Sequence, residues 1–580
     1  MRWLAASSPF ADVVKHYTRQ SFLSDMIAAI IVAIMLVPQS LAYAMLAGLP
    51  PEVGLYASIA PLIAYALLGT SSTLSVGPVA ITSLMAGAAL AEVAHQGIAD
   101  YLTGAISLAA LSGLMLLTLG ILRLGFLANF LSHTVVSAFI TASALIIALS
   151  QVHHIFGTKA AGDNLFELVL SISVQLGHTN FFTMLIGLAT LAFLFAARLF
   201  GAGIMRRAGL SLRAAELTAK SAPVIAVIIT ILLTYRFKLA ERGVSIVGEI
   251  PMGLPSFAIP AFSTELLEIL LVPAALISII GYVESIAVGR TLGAHRNERI
   301  DSNKELIGLG AANLSSALSG ALPVTGGFSR SVVNFDAGAV TQAASIYTAF
   351  LIALVSLFLT PALFYLPKAT LAATIIVAVL SLIDLSIIKK TWRYSISDSL
   401  ALLITICATL GFGVETGVSF GVVASLALHL YRTSRPHIAE VGLVEGTEHF
   451  RNVRRYEVKT VPEVLTLRVD ESLFFANASF LEDEILMQLG KRPAIKHVIL
   501  MCSAVNEIDY SALEVLDDLN KRFERQGLAL HLSEVKGPVL DRLRRTSLII
   551  RLSGSLYLSQ HQAFRDLCKR FQYGSTFQEK

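Results

Sequence analysis

The sequence predicts an all-α polytopic membrane domain of about 14 segments in two inverted seven-segment repeats, followed by a C-terminal α/β domain. Three observations carry that prediction. The chain of 580 residues is 55% hydrophobic and only 14% charged, whereas a soluble domain carries about 25% charged residues. Charges are sparse from Asp25 to His429 and reach ordinary soluble density from Arg432 onward. Two motifs also recur at nearly one spacing. Gln39-Ser40-Leu41-Ala42 to Gly48 returns as Glu284-Ser285-Ile286-Ala287 to Gly293, and Gly77-Pro78 returns as Gly327-Phe328. An odd number of spans per repeat forces the halves to insert with opposite orientation, the plan of secondary transporters.

Residues 1–24, with Arg2, Lys15 and Arg19, form a polar, slightly basic arm. The run Met26 to Leu46 is long enough to cross a bilayer at about 20 residues. It has no signal-peptide plan, since Asp25 precedes it and no small-residue cleavage site closes it, so it reads as a retained helix. Leu49-Pro50-Pro51-Glu52 turns into a second span, Val53 to Leu68. The stretch Gly69 to Pro78 then interrupts the hydrophobic pattern before a short apolar helix from Val79 to about Glu92. Pro78 suits the first turn of such a helix, where its missing N–H is no loss. Further spans fall near 101–121, 126–150, 179–199, 220–235, 267–289, 304–322, 327–340, 343–366, 368–388, 396–412 and 416–431. The repeats cover about 25–235 and 265–431 within a transmembrane domain at 25–432, and residues 433–580 form the soluble domain. Basic links at 198–220 (Arg198, Arg206, Arg207, Arg213, Lys220), 290–304 and 389–393 all fall on the N-terminal side of the membrane, which the positive-inside rule makes cytoplasmic.

The polar residues inside this apolar chain are few. Pro323 to Asn334 brings Gly326, Gly327, Ser329, Ser331 and Arg330 into a membrane segment. An unpaired guanidinium in hydrocarbon costs at least about 2.5–3.5 kcal/mol, so Arg330 is expected to face a cavity or a partner. In the inverted arrangement the helices starting at Val79 and Phe328 point their N-termini at each other. Each end carries free N–H groups and about half a positive charge, and together they make an anion trap. Val79, Ala80, Gly327, Phe328, Ser329 and Arg330 are the candidate anion-binding residues there. Gln39 offers a neutral amide, and Tyr43, one turn on, a wall. Glu284 is the one carboxyl in the apolar run Leu270 to Val288, and intramembrane carboxylates mark proton or ion relays. The alternative for Glu284 is a permanent ion pair with Arg330.

Other features exclude function classes. A net charge of +4 with no basic tract gives no support for a nucleic-acid partner. Cys407, Cys502 and Cys568 are scattered, with no disulfide framework, metal site or cofactor implied. His153-His154 reads as a solvated external loop. Gly308 to Asn313 resembles a glycine loop but lacks a βαβ context. No nucleophile–base arrangement points to an enzyme.

Val37-Pro38-Gln39-Ser40-Leu41-Ala42-Tyr43-Ala44 with Ala47 to Pro51 and Gly54-Leu55-Tyr56-Ala57-Ser58 resembles the opening signature of the SulP sulfate-permease family, relatives of pendrin and prestin. Leu74 to Ala80, Phe130-Leu131-Ser132-His133 and Gly326 to Ser331 continue the match along nearly the whole chain. The resemblance implies a core domain moving against a gate domain, with the anion between the half-helices at Gln39, Tyr43, Val79, Phe328, Ser329 and Arg330. It implies a proton-coupled sulfate symporter by alternating access, with Glu284 as the coupling residue. Sodium-coupled relatives carry a hydroxyl residue one turn after that acid. Here the position is Val288, which favours protons. Bicarbonate or dicarboxylate transport, anion exchange, and a membrane-bound sensor or scaffold are the alternatives. A homodimer in the plasma (inner) membrane, with both termini cytoplasmic, is also implied. The C-terminal domain, with strands at Val464 to Val469 and His497 to Met501 and helices at Phe480 to Leu489, Ser511 to Arg525 and Pro538 to Thr546, resembles the STAS domain. Asp509 is followed by Tyr510 before Ser511, a departure from the phosphorylated loop of the related anti-sigma factor antagonists.

Overall fold

The computed structural model describes residues 17–126, 132–159, 162, 164–209, 211, 215, 219 and 221–571. The arm before Tyr17, Phe130-Leu131, Arg213 and Lys220 lie outside these residues. The chain divides into two compact units, Met1–Ser425 and Leu426–Lys580.

The first unit is helical. Its first half contains α1 (Arg19–Leu46), α2 (Pro51–Tyr56), α3 (Ala60–Leu68), the strand β1 (Val76–Gly77), α4 (Ala80–His95), α5 (Tyr101–Ile121) and α6 (His133–Ser150). After these come α7 (Val152–Phe156), α8 (Leu165–Gln175), α9 (Phe181–Ala196), a π-helical turn at Ala197–Gly201, α10 (Ala202–Arg207) and α11 (Ala222–Arg236). The second half contains α12 (Thr264–Ala294), α13 (Ser302–Leu318), β2 (Thr325–Gly326), α14 (Phe328–Ala337), α15 (Ala343–Phe358), α16 (Lys368–Leu380), α17 (Ser386–Tyr394), α18 (Ile396–Phe412) and α19 (Val414–Ser434). Six helical stretches among the described residues are long and apolar enough to cross a membrane, Arg19–Leu46 and Thr264–Ala294 among them, and shorter apolar helices accompany them.

The two halves meet at their interrupted segments. β1 and β2 pair antiparallel, with Val76 opposite Gly326 and Gly77 opposite Thr325. Helix packing follows the same exchange. The long helix α1 lies against the short α14 of the other half, and α12 lies against the short α4. In the same way α13 packs on α3 and α5, and α15 on α1 and α3. Small residues permit these close approaches, as in membrane helix pairs generally. Three local expectations are corrected. Pro78 lies before the helix, Val79 is the N-cap, and the first turn begins at Ala80. His153 and His154 sit half-buried on α7 with their rings 3.9 Å apart, not in a solvated loop. The short apolar helix α8 and the amphipathic α17 occupy stretches read as connections.

The second unit is a mixed six-stranded sheet in the order β4-β3-β5-β6-β7-β8, with β3 at Ile438–Leu443, β4 at Phe450–Asn452, β5 at Val464–Val469, β6 at His497–Met501, β7 at Ala529–Ser533 and β8 at Leu556–Tyr557. β5 to β8 run parallel, so crossover helices cover the sheet: α20 (Ala478–Lys491), α21 (Tyr510–Gln526), α22 (Gly537–Leu543) and the closing α23 (Gln560–Arg570). Parallel strands buried on both faces read as continuous apolar runs, which is why β5 and β6 were visible in sequence. Asp509 accepts from Ala512 N at 2.8 Å and Phe475 N at 2.8 Å, capping α21 and tying its start to the preceding loop.

A partly buried histidine pair sits within this sheet. His531 Nδ1 accepts from Ser555 N at 2.8 Å, and its Nε2 lies 2.9 Å from His497 Nδ1. Burial, with the neighbouring His497 and Arg570, pushes the His531 imidazole down to about 4. The unfolded chain, with an ordinary value of about 6.5, binds this proton more readily than the folded one. Stability of the second unit therefore rises as pH increases from about 4 to about 6.5 and is level above that. Urea unfolding of this unit at pH 7 and pH 5 is expected to show lower stability at pH 5, and His531→Gln is expected to reduce that difference.

Candidate functional site

Every candidate site residue lines one cavity. Gln39 and Tyr43 from α1, Val79 and Ala80 from the start of α4, Glu284 from α12, and Gly327, Phe328, Ser329 and Arg330 from the start of α14 enclose about 40 Å³. That is room for roughly three water-sized probes. α16 and the residues after it supply the remaining wall through Ala378, Val379 and Leu382. These three apolar residues carry no signal that sequence reasoning can use. A vestibule of about 500 Å³ adjoins the cavity and shares Gln39, Phe328, Ser329 and Ala378 with it.

The two helix starts are left open. Thr18, Ser132, Ser263, Asp301 and Ser395 each cap a helix in this unit with a side-chain acceptor, the usual way to satisfy first-turn N–H groups. The caps of α4 and α14 are Val79 and Gly327, which have no acceptor, and neither helix has a side-chain cap bond. Ser83 N and Ser331 N begin the internal ladders by donating to Val79 O and Gly327 O. The N–H groups of Ala80, Ile81 and Thr82, and of Phe328, Ser329 and Arg330, precede those ladders and have no intrahelical acceptor. Two positive helix ends thus face one cavity.

Arg330 lines the cavity as expected, and its partners are carbonyls rather than an acid. It is only 2% exposed, and its guanidinium donates to four backbone carbonyls: Nε to Ser75 at 2.9 Å, Nη1 to Pro78 at 2.9 Å, and Nη2 to Gly77 at 2.8 Å and Thr325 at 2.9 Å. Among the described residues no ion pair joins it to Glu284. The guanidinium therefore fastens the crossing of the two extended stretches and covers the oxygen ends of their dipoles. Gly77 and Gly327 make room for it. A Cβ at Gly327 would come 2.7 Å from Arg330 Nε, and one at Gly77 would come 3.0 Å from Nη1. The crossing is further held by Ser331, whose Oγ accepts from Ser75 N at 3.0 Å, and by Asn334, whose Nδ2 donates to Thr73 O at 3.0 Å.

Three buried carboxylates behave unlike one another. Glu305 accepts from Tyr65 Oη at 2.8 Å and from Thr70 N and Oγ1 at 2.7 and 2.6 Å. Asp25 accepts from Val340 N, Thr341 N, Thr341 Oγ1 and Tyr17 Oη. Both tie loops to helices and were missed in sequence, because each lies where a helix end and a polar link look solvated. Glu284 is 7% exposed, and its Oε2 is buried without a hydrogen-bond partner. Of the three it alone lines the cavity.

A model of the sulfate permease family matches residues 22–405, and a STAS domain model matches residues 455–563. The chain belongs to the sulfate permease family. It is a multi-pass integral membrane transporter, not an enzyme. The chain is 34% identical to "Sulfate transporter 4.1, chloroplastic" of Arabidopsis thaliana over 100% of this chain and 85% of that protein. It is 33% identical to "Probable sulfate transporter Rv1739c" of Mycobacterium tuberculosis over 94% of this chain and 95% of that one. The solved structure of SLC26A9 superposes with a TM-score of 0.87 at 23% identity, covering 98% of this chain and 94% of that chain. The transmembrane domain of the cyanobacterial bicarbonate transporter BicA superposes with a TM-score of 0.59 at 20% identity, covering 70% of this chain and 98% of that chain. Both structures share the fold.

Two variants test this geometry. Val79→Asp supplies α4 with an internal cap and a negative charge, so anion affinity is expected to fall at least about tenfold while thermal stability holds or rises by about 1 kcal/mol. Isothermal titration and thermal unfolding of the same preparation check both. Arg330→Ala removes a donor from four carbonyls, of which Ser75 O still accepts from Gly327 N at 3.1 Å; a carbonyl left unpaired in the interior costs about 1–3 kcal/mol. It is expected to unfold several degrees earlier in detergent, and Arg330→Lys is expected to recover little, since an ammonium lacks the planar fork. An Arg330→Ala protein as stable as the parent would contradict the clamp.

Proposed function

We propose that the chain is a proton-coupled sulfate symporter working by alternating access. The observation that carries this reading is one small cavity bounded by two uncapped helix N-termini and by the unpartnered carboxyl of Glu284. A tetrahedral oxyanion accepts from donors on opposite sides, which suits N–H groups converging from α4 and α14. Gln39 and Ser329 add neutral donors. Arg330 acts at one remove, by holding the crossing and offsetting its carbonyl dipoles. An ionised carboxylate without a donor is costly in such a place, so Glu284 is suited to take up a proton as the anion enters and release it on the other side. The names of relatives at 32–35% identity favour sulfate as the anion.

The antiparallel β1–β2 register and the exchanged helix packing support two inverted seven-segment repeats within residues 25–432, with a core moving against a gate. The vestibule opens beside Arg198, on the side that the basic links make cytoplasmic, so we read this conformation as inward-open. On the same reading both termini and the STAS domain, residues 433–580, are cytoplasmic and the membrane is the plasma membrane. A homodimer is proposed on family membership alone.

Labelled sulfate uptake into proteoliposomes under an imposed pH gradient, competed with bicarbonate and with succinate, tests the reading. Gradient-driven accumulation of sulfate is expected, with weaker competition by the other two. Glu284→Gln is expected to abolish accumulation while leaving sulfate binding in place. Parental accumulation in that variant would remove Glu284 from the coupling step.

A further inference from the structure

The vestibule carries a charge that the central site does not use. Of its described lining residues, Arg198 alone is charged, and the rest are apolar or neutral. Arg198 sits on the π-helical turn Ala197–Gly201 between α9 and α10, a distortion that re-aims side chains and recurs at functional sites. Its Nη1 donates to Val377 O at 3.2 Å. That carbonyl lies in the last turn of α16, where Ser381 N donates to Ala378 O at 3.2 Å. Among the described residues no acid pairs with Arg198, and the residue is exposed. The hydroxyls of Thr374 and Ser381 in the vestibule donate to carbonyls of their own helix. Ser329 and Gln39, at the junction with the central cavity, carry neutral donors with no hydrogen-bond partner among the described residues. Free donors therefore run from Arg198 through Ser329 and Gln39 to the open helix ends.

We propose that Arg198 is an outer anion station that selects for valence, favouring divalent over monovalent oxyanions as they pass between the vestibule and the central site. The inference rests on the transport reading above. A cation with no acidic partner among the described residues, in a cleft with low-dielectric walls, focuses its field on the path and raises the local anion concentration. Its attraction scales with the charge of the anion. A divalent ion gains twice the energy of a monovalent one, which squares the enrichment. Arg198 acts on entry and release from this side and does not touch the anion in the inner cavity.

The test compares transport of a divalent and a monovalent anion from the vestibule side, in proteoliposomes of the full chain, at low and high ionic strength. The salt is one whose anion is not carried. Arg198→Gln is expected to lower kcat/KM for sulfate roughly tenfold and for a monovalent anion only about threefold at low ionic strength, and the two losses are expected to converge in high salt. Arg198→Lys keeps the charge and is expected to keep the valence preference, which also covers the case in which the Gln variant folds poorly. Equal losses for both valences, or losses indifferent to salt, would reduce Arg198 to a cap on α16 and overturn the proposal, as would no loss at all. Equilibrium binding of sulfate to the Gln variant separates the two readings. Weakened binding at the central site in Val79→Asp alongside intact binding in Arg198→Gln supports both, whereas a parent that carries no sulfate sinks the substrate reading. Valence selection is then measured on whichever divalent and monovalent anions the parent carries.

Discussion

The transport unit depends on one side chain holding four carbonyls. Two extended stretches from opposite halves of the chain cross at Val76–Gly77 and Thr325–Gly326, inside a segment where water is scarce and every backbone group needs a partner. A two-residue ladder satisfies only part of them. Arg330 adds a planar fork of donors, reaching Ser75, Gly77 and Pro78 from one half and Thr325 from the other. With the crossing fixed, α4 and α14 start at defined points and their free N–H groups bound the same cavity. On the proposed reading, the affinity for an anion comes from backbone, and the arginine makes the backbone usable.

This arrangement also explains a composition that looks unfavourable element by element. Val79 is a poor N-cap and Gly327 offers no side chain, yet an acceptor at either place would spend the N–H groups on the protein itself. Gly77 and Gly327 have the same logic, since a methyl at either position would press on the guanidinium. Glu305 and Asp25 show what a settled buried carboxylate looks like in this protein, with three and four donors each. Beside them the unpartnered Oε2 of Glu284 stands out as a group kept for a changing occupant.

Much of the fold was legible in the sequence because hydrophobic length and interruption are strong local signals. The span read at 101–121 is α5 itself, and the break at Gly69 to Pro78 holds β1. The nine candidate residues were legible as a set because the internal repeat brought two distant motifs into one frame. What Arg330 does was not legible, since three of its four partners lie more than 250 residues away and all are carbonyls, which every residue has. The third wall of the cavity, Ala378, Val379 and Leu382, was hidden for a related reason. Ordinary apolar residues of a membrane helix become site residues only through packing. The helix α17 was missed because its amphipathic pattern, with Trp392 and Tyr394 exposed, resembles a polar connection when read by mean hydropathy, and α8 was missed because its apolar run of 11 residues is too short to read as a span.

The central claim is that an oxyanion is held by the helix ends while Arg330 stays on its carbonyls. A structure with bound selenate, an electron-dense analogue of sulfate, tests this most directly. The account predicts density within hydrogen-bonding distance of the N–H groups of Ala80, Ile81, Ser329 and Arg330, with the guanidinium still donating to Ser75, Gly77, Pro78 and Thr325. Selenate bound by the guanidinium, with those carbonyl bonds broken, would contradict it.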